Sequence, residues 1–148
     1  MRRRRLVLAT GAFDVLHFGH LKALEDAKKA GGRHARLTVI VARDKTVMRR
    51  KGKTPIVPED QRRTLVQALK PVDRAILGFE ELNIGAVIRR LKPDVIAIGY
   101  DQNDILEAVK VALRGYPKKV KVVRTRRYGP EDFNSSSKIK RKIVEEFR

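Results

Sequence analysis

Residues 5–20 read R-L-V-L-A-T-G-A-F-D-V-L-H-F-G-H, and this stretch decides the fold. The run Arg5–Thr10 is almost entirely apolar, which predicts a strand buried on both faces. The segment Gly11–Leu16 predicts a turn, and apolar residues at helical spacing predict a helix from His17 to Ala30. A buried strand followed directly by a helix is typical of a parallel sheet built from strand–helix–strand units.

The same alternation continues to the end of the chain. Further strands are predicted at Arg36–Ala42, Val72–Leu77, Val95–Ile98 and Lys119–Arg124. Further helices are predicted from Pro58 through Leu69 and at Leu82–Leu91, Asn103–Arg114 and Ser135–Phe147, with a basic connection at Arg43–Lys53. The pattern predicts an α/β fold: one domain over 1–148, with a doubly wound, Rossmann-like parallel five-stranded sheet and helices on both faces.

A doubly wound sheet also predicts where a ligand binds. The site should lie beyond the carboxyl ends of the strands, where the strand order reverses. The segments that follow the strands are Gly11–His20, Arg43–Lys53, Gly99–Gln102 and Arg124–Ser137.

Composition narrows the class of protein. The 148 residues include 35 Lys+Arg against 17 Asp+Glu, which gives a net charge of +18, and 42% are hydrophobic, which excludes a disordered chain. There is no Cys, so disulfides and thiolate metal sites are excluded. Charged residues reach 35% while Asn and Gln number three each, a composition typical of thermophiles.

The positive charge predicts a polyanionic partner, either a nucleic acid or a phosphorylated small molecule. The apolar run after the four N-terminal arginines is too short for a signal-peptide core or a membrane span, so we expect a cytoplasmic protein with no membrane partner. A nucleic-acid partner is disfavoured because the chain lacks the clustered aromatic residues that stack on bases.

His17 and His20 are three residues apart at a predicted helix start, so both rings can share one face. Gly19 leaves room for a phosphate to approach the backbone, and a helix N-terminus attracts anions. Two imidazole donors at such a site suit nucleotidyl transfer, in which charge develops on phosphate oxygens. The alternative is a pair of surface or metal-binding histidines. A zinc site needs further ligands, and no metal-binding residues are predicted.

The segment S-S-S-K-I-K at 135–140 predicts a second anion site. A serine at a helix start caps free amides, and Lys138 adds a positive charge. The alternative is a terminal helix that is simply capped.

The string G-A-F-D-x-x-H-x-G-H at 11–20 resembles the signature of the cytidylyltransferase-like nucleotidyltransferases, with Ala12 in place of the usual hydroxylated residue. The resemblance implies that His17 and His20 are catalytic. It implies ATP contacts at Ala12, Phe13, Phe18, Gly19, Asp101, Tyr128, Ser135, Ser136 and Lys138, and phosphate or substrate contacts at Lys51 and Arg62. Lys53 competes with Lys51, whose surroundings also fit a solvated charge run, and Arg62 would equally suit an ion pair.

From residue 6 to about residue 143 the chain is similar to the small archaeal FAD synthases. The strings that carry the resemblance include G-K-T-P-I-V-P-E-D-Q-R, I-G-Y-D-Q and N-S-S-S-K-I-K. It implies ATP and FMN as substrates, a divalent cation, expected to be Mg²⁺ bound with ATP, and a homodimer. The alternatives are a glycerol-3-phosphate or other phosphate-acceptor cytidylyltransferase and a non-catalytic nucleic-acid-binding protein. A flavin ring would need an apolar or aromatic wall, for which the candidates are Phe13, Phe18, Phe79, Tyr100, Tyr116, Tyr128 and Phe133.

Overall fold

The computed structural model describes residues 3–79, 83–128 and 135–148. In chain order, the elements are β1 (Leu6–Gly11), α1 (Phe18–Ala30), β2 (Arg36–Val41), α2 (Asp44–Lys51), α3 (Glu59–Gln67), β3 (Arg74–Leu77), α4 (Ile84–Leu91), β4 (Val95–Ile98), α5 (Asn103–Leu113), β5 (Lys121–Arg124) and α6 (Ser136–Glu146). None of the described helices is both long enough and apolar enough to cross a bilayer.

The five strands form one sheet in the order β3-β2-β1-β4-β5, and every neighbouring pair is parallel. The predicted fold class is therefore confirmed. The predicted strand starting at Val72 begins two residues later, at Arg74. Its first residues form a turn instead, in which the amide of Val72 donates to the carbonyl of Leu69.

Alternate residues of β1 enter two different cores, as a strand covered on both faces requires. Val7 and Ala9 pack in one core with Leu24 and Ala27 of α1. Leu8 packs in the other core, which contains buried residues of α4 and α5. The sheet is thus covered by helices on both faces, and α1 lies against the face where β1 and β4 meet.

The strand order reverses between β1 and β4, and the side chain of Gln102 joins the ends of these two strands. Its Oε1 accepts from the amide of Gly99 at 2.7 Å, and its Nε2 donates to the carbonyl of Thr10 at 2.8 Å. The carboxyl ends of β1 and β4 are therefore held at a fixed separation, where a doubly wound sheet opens a crevice for ligands.

Arg62 braces the fold behind this crevice, which corrects the expectation that it binds phosphate. The side chain is fully buried in α3. Its Nη1 donates to the carbonyls of Ala12 and Ala42 at 2.6 and 2.7 Å, and its Nε donates to the carbonyl of Val57 at 2.8 Å. Its Nη2 donates to the carboxylate of Asp44 at 2.7 Å. Four of its five N–H donors are thus occupied, and the guanidinium fixes the backbone at Ala12.

Arg62→Leu should lower the free energy of unfolding by about 2–4 kcal/mol, because it leaves buried carbonyls and a carboxylate without their donor. Arg63→Leu is the matched control, because this neighbouring side chain is partly exposed and makes long contacts, at 3.4 Å with the carbonyl of Ala75 and at 3.3 Å with the hydroxyl of Thr64. Urea denaturation measures both. An Arg62→Leu protein as stable as the Arg63→Leu protein would contradict the bracing role.

Candidate functional site

A cavity of about 480 Å³ opens at the carboxyl ends of β1 and β4. Its walls come from the turn after β1, one face of α1, the end of α2, the residues that follow β4 and β5, and one face of α6. This volume lies in the range of pockets that bind cofactor-sized molecules. The segments that follow the strands, which the sequence predicted as the site, therefore meet at one cavity.

The turn between β1 and α1 is strained. Phe13 and Val15 have φ of 54° and 51°, in the left-handed region that a β-branched residue such as Val15 rarely adopts. The Ser136 hydroxyl donates to the carbonyl of Asp14 and, at 3.3 Å, to that of Val15. The start of α6 therefore holds the turn in this conformation.

Asp14 holds the same turn through its carboxylate, which is almost fully buried. It accepts from the amides of Ile56 and Val57, both at 2.9 Å, and from Nζ of Lys140 at 2.6 Å. Burial raises the pKa of Asp14, but the hydrogen bonds from Lys140 and from the two amides outweigh it and hold the pKa below its ordinary value. An ionised carboxylate therefore joins the turn, the loop before α3, and α6. Sequence reasoning missed both Asp14 and Lys140.

His17 and His20 cap the start of α1 reciprocally. Nδ1 of His17 accepts from the amide of Gly19 at 3.0 Å, and Nδ1 of His20 accepts from the amide of His17 at 3.3 Å. The ring centroids are 3.9 Å apart. Because each Nδ1 accepts a hydrogen bond, the proton of each neutral imidazole belongs on Nε2. Each ring can then donate one hydrogen bond to a ligand.

Both imidazoles are neutral at pH 7. Burial, together with the charges of His17 and Lys51, lowers the pKa of His20 to about 3 against the opposing charge of Asp14. Burial also lowers the pKa of His17. Two neutral Nε2–H donors beside a helix N-terminus and a lysine form an anion site that does not depend on pH near neutrality.

Gly19 is required by the histidine cap. A Cβ at this position would lie 2.8 Å from Cε1 of His17 and 3.0 Å from the carbonyl oxygen of Tyr128. Any larger residue would push the capping ring out of place. Besides leaving room for a phosphate, as the sequence predicts, Gly19 is therefore needed for packing.

Most of the predicted contact residues line the cavity together with the two histidines and Gly19: Ala12, Phe13, Lys51, Asp101, Tyr128, Ser135 and Ser136. Lys53 lines it as well, so the structure does not separate it from Lys51. Their contacts with a nucleotide stay predictions.

The hydroxyl of Tyr128 donates to the carboxylate of Asp26 on α1. This hydrogen bond, together with desolvation, raises the pKa of Tyr128. The bond anchors the phenol to the helix.

The three serines at the start of α6 have different structural positions. Ser135 is the N-cap, and its hydroxyl accepts from the amide of Lys138 at 3.2 Å. Ser136 holds the turn after β1, as described above, and Ser137 is exposed on the cavity wall.

Phe18 and Lys138, two of the predicted ATP contacts, are not among the residues that line the cavity, and their contacts with a nucleotide stay predictions. Phe18 begins α1 with its side chain 55% exposed, and Nζ of Lys22 lies 5.4 Å from its ring centroid. The cations that α6 does contribute are Lys140 and Arg141.

Of the described aromatic candidates for a flavin wall, Phe13, Tyr100 and Tyr128 line the cavity, whereas Phe18, Phe79 and Tyr116 do not. Phe133 lies outside the described residues. Among the residues that the structure describes, no group of three or more His, Cys, Asp or Glu side chains is placed to hold a metal ion.

Fold and site define the class of protein: the chain belongs to the cytidylyltransferase-like family, whose model matches residues 8–142. Within that family, the chain is similar to proteins named FAD synthase. It is 51% identical to the FAD synthase of Ferroglobus placidus over 138 residues, which are 93% of this chain and 87% of the relative. It is 46% identical to that of Methanothermobacter marburgensis over 139 residues, which are 94% of this chain and 85% of the relative.

A similar solved structure carries a different title. It is the crystal structure of a lipopolysaccharide core biosynthesis protein from Thermoplasma volcanium, with 42% identity and a TM-score of 0.74. The match covers 84% of this chain and 98% of that chain.

The free energy of unfolding should depend on pH because the folded chain keeps His20 neutral. Because the pKa of His20 is lower in the folded chain than its ordinary value of 6.5, the unfolded chain takes up more protons as the pH falls. The free energy of unfolding should therefore drop by about 1–2 kcal/mol between pH 7.5 and pH 5, above the range where the carboxylates titrate.

His20→Gln is the matched variant for this measurement, since glutamine can accept the same backbone hydrogen bond without titrating. Urea denaturation at several pH values should give a flatter profile for His20→Gln than for the unmodified protein. Equal slopes in both proteins would contradict a neutral, buried His20.

Proposed function

We propose that this protein is an FAD synthase: it transfers the AMP moiety of ATP to FMN and releases pyrophosphate. The similar proteins named FAD synthase support this choice of substrates. The observation that carries the proposed chemistry is the pair of neutral Nε2–H donors at the start of α1, inside a cavity with several cations.

The reaction needs no covalent protein intermediate. An oxygen of the FMN phosphate attacks the α-phosphorus of ATP, and the bond from that phosphorus to the oxygen bridging to the β-phosphate breaks. The FMN phosphate is already ionised near neutral pH, so the protein need not supply a general base. The protein instead positions two phosphates and stabilises the charge that grows on their oxygens.

Each part of the cavity has a role in that task. His17 and His20 donate to oxygens of the α-phosphate, and the start of α1 adds its partial positive charge. Lys51, at the end of α2, and Arg141, on α6, offer positive charge to the β- and γ-phosphates. Asp101 is exposed beyond β4 and can accept from a ribose hydroxyl or a base amine of ATP.

A divalent cation, with Mg²⁺ the expected one, fits this cavity as a companion of ATP and not as a protein-held ion. Asp14, the buried carboxylate on the cavity wall, already binds Lys140 and two backbone amides. The triphosphate itself supplies the oxygen ligands that Mg²⁺ prefers. A homodimer and a cytoplasmic location stay predictions.

The substrate panel that tests this proposal combines ATP or CTP with FMN, glycerol 3-phosphate or phosphocholine, in the presence of Mg²⁺. Release of pyrophosphate measures turnover, and chromatography identifies the product. We expect pyrophosphate and FAD from ATP with FMN and at most about a hundredth of that rate from the other acceptors. Turnover of CTP with a non-flavin acceptor would favour a cytidylyltransferase instead. RNA binding with a steep salt dependence and no turnover would favour the nucleic-acid-binding alternative.

His20→Ala should lower turnover in the same assay by about 10²–10³, the usual cost of removing one such donor. His34→Ala is the matched control, because His34 is exposed outside the cavity and should leave turnover unchanged. Circular dichroism establishes that both variants are folded. Near-normal turnover in folded His20→Ala would rule out the donor role.

A further inference from the structure

The wall that α1 contributes to the cavity changes from polar to apolar along the length of the helix. The residues of α1 that line it are His20, Ala23, Leu24 and Ala27. Their spacing places them on one face of the helix. This face is polar at His20 and becomes apolar one turn later. Ala27 lies seven residues beyond His20, which is about 10 Å at a rise of about 1.5 Å per residue.

The face of α6 that lines the same cavity changes in the same direction. It presents Ser137, Lys140, Arg141 and finally Val144, again at helical spacing. The start of α6 is tied to the turn that precedes α1 through the hydroxyl of Ser136. The polar end of the α6 face therefore lies beside the turn that precedes α1, and Val144 lies about two turns further along α6.

The floor between these helix faces is made of small residues. Ala9 of β1 and Ala97 of β4 are partners in the sheet register, and both line the cavity. Val144, which also lines the cavity, is 53% exposed, although it is a large apolar side chain. We call the space between Ala9, Ala97, Ala23, Ala27 and Val144 the apolar chamber.

We propose that the apolar chamber binds the isoalloxazine ring of FMN, with Ala23 and Val144 as specificity-determining residues. This inference rests on the proposed function. FMN carries its phosphate at one end of a five-carbon chain and a tricyclic aromatic ring at the other. With bonds of about 1.5 Å, that chain separates phosphate and ring by about 7–9 Å. When the reacting phosphate lies near the imidazoles, the ring reaches the chamber.

Adenine, the aromatic ring of the other substrate, fits a different part of the cavity. Adenine has nitrogen donors and acceptors around its edge, and burying them without partners is costly. The residues after β4 offer polar groups, including the exposed carboxylate of Asp101. The chamber instead offers mostly methyl and methylene groups, which suit the dimethylbenzene end of the flavin ring, whereas the polar atoms of that ring lie toward its opposite, pyrimidine end.

The first test compares Val144→Asn with Ile143→Asn. The two residues are neighbours on α6 and similarly exposed, at 53% and 50%, but only Val144 lines the cavity. Val144→Asn should raise the KM for FMN about tenfold through the loss of apolar contact, and change the KM for ATP less than about twofold. Ile143→Asn should leave both values unchanged.

The second test uses riboflavin, which has the ring but no phosphate and therefore probes the chamber alone. Ala23→Leu fills part of the chamber and should weaken riboflavin binding, measured by flavin fluorescence, by about tenfold or more. Binding of ATP, measured by calorimetry, should stay within about twofold, which also shows that the variant is folded.

Three outcomes would overturn the placement. Val144→Asn could raise the KM for ATP instead of that for FMN, it could match Ile143→Asn, or Ala23→Leu could bind riboflavin as the unmodified protein does. If the unmodified protein forms FAD while any of these holds, only the placement of the flavin ring fails. If the unmodified protein forms no FAD from FMN and ATP, the proposed function fails and the placement fails with it.

Discussion

At the start of α1, two backbone amides donate to the Nδ1 atoms of His17 and His20, and this reciprocal cap determines what the rings can offer a ligand. A capping imidazole must keep a lone pair on Nδ1, which leaves the proton on Nε2. Burial keeps both rings neutral. The same contacts that begin the helix thus also supply two hydrogen-bond donors beside its positive end, and Gly19 is small because the cap leaves no space.

The histidine cap also depends on the turn between β1 and α1, whose conformation needs support from other parts of the chain. Val15 has a positive φ, which costs energy for a β-branched residue. Asp14 and Ser136 offset that cost through hydrogen bonds to the loop before α3 and to α6. Helix α6 has no buried residue, so these polar contacts and the ion pair with Lys140 have a large part in keeping it at the cavity. The turn between β1 and α1 and the α6 wall of the cavity therefore stabilise each other.

The sequence predicts the fold and the histidine site well because both depend on local patterns. The periodicity of apolar residues in strands and helices can be seen directly in the sequence, and the pair His17–His20 lies on one turn of helix. The place of Arg62 depends on which way its helix faces, and its charge alone does not reveal that it turns inward. Asp14 was missed because its partners are 42 to 126 residues away in the chain.

In the proposed reaction, the Nε2 atoms of His17 and His20 hold the phosphates of ATP. A crystal structure with α,β-methylene-ATP and Mg²⁺ would test this role. We expect both Nε2 atoms at about 2.7–3.2 Å from oxygens of the α- or β-phosphate, with both Nδ1 atoms still accepting from the backbone. A triphosphate bound elsewhere, or rings that turn to present Nδ1 to it, would rule out this role for the two histidines.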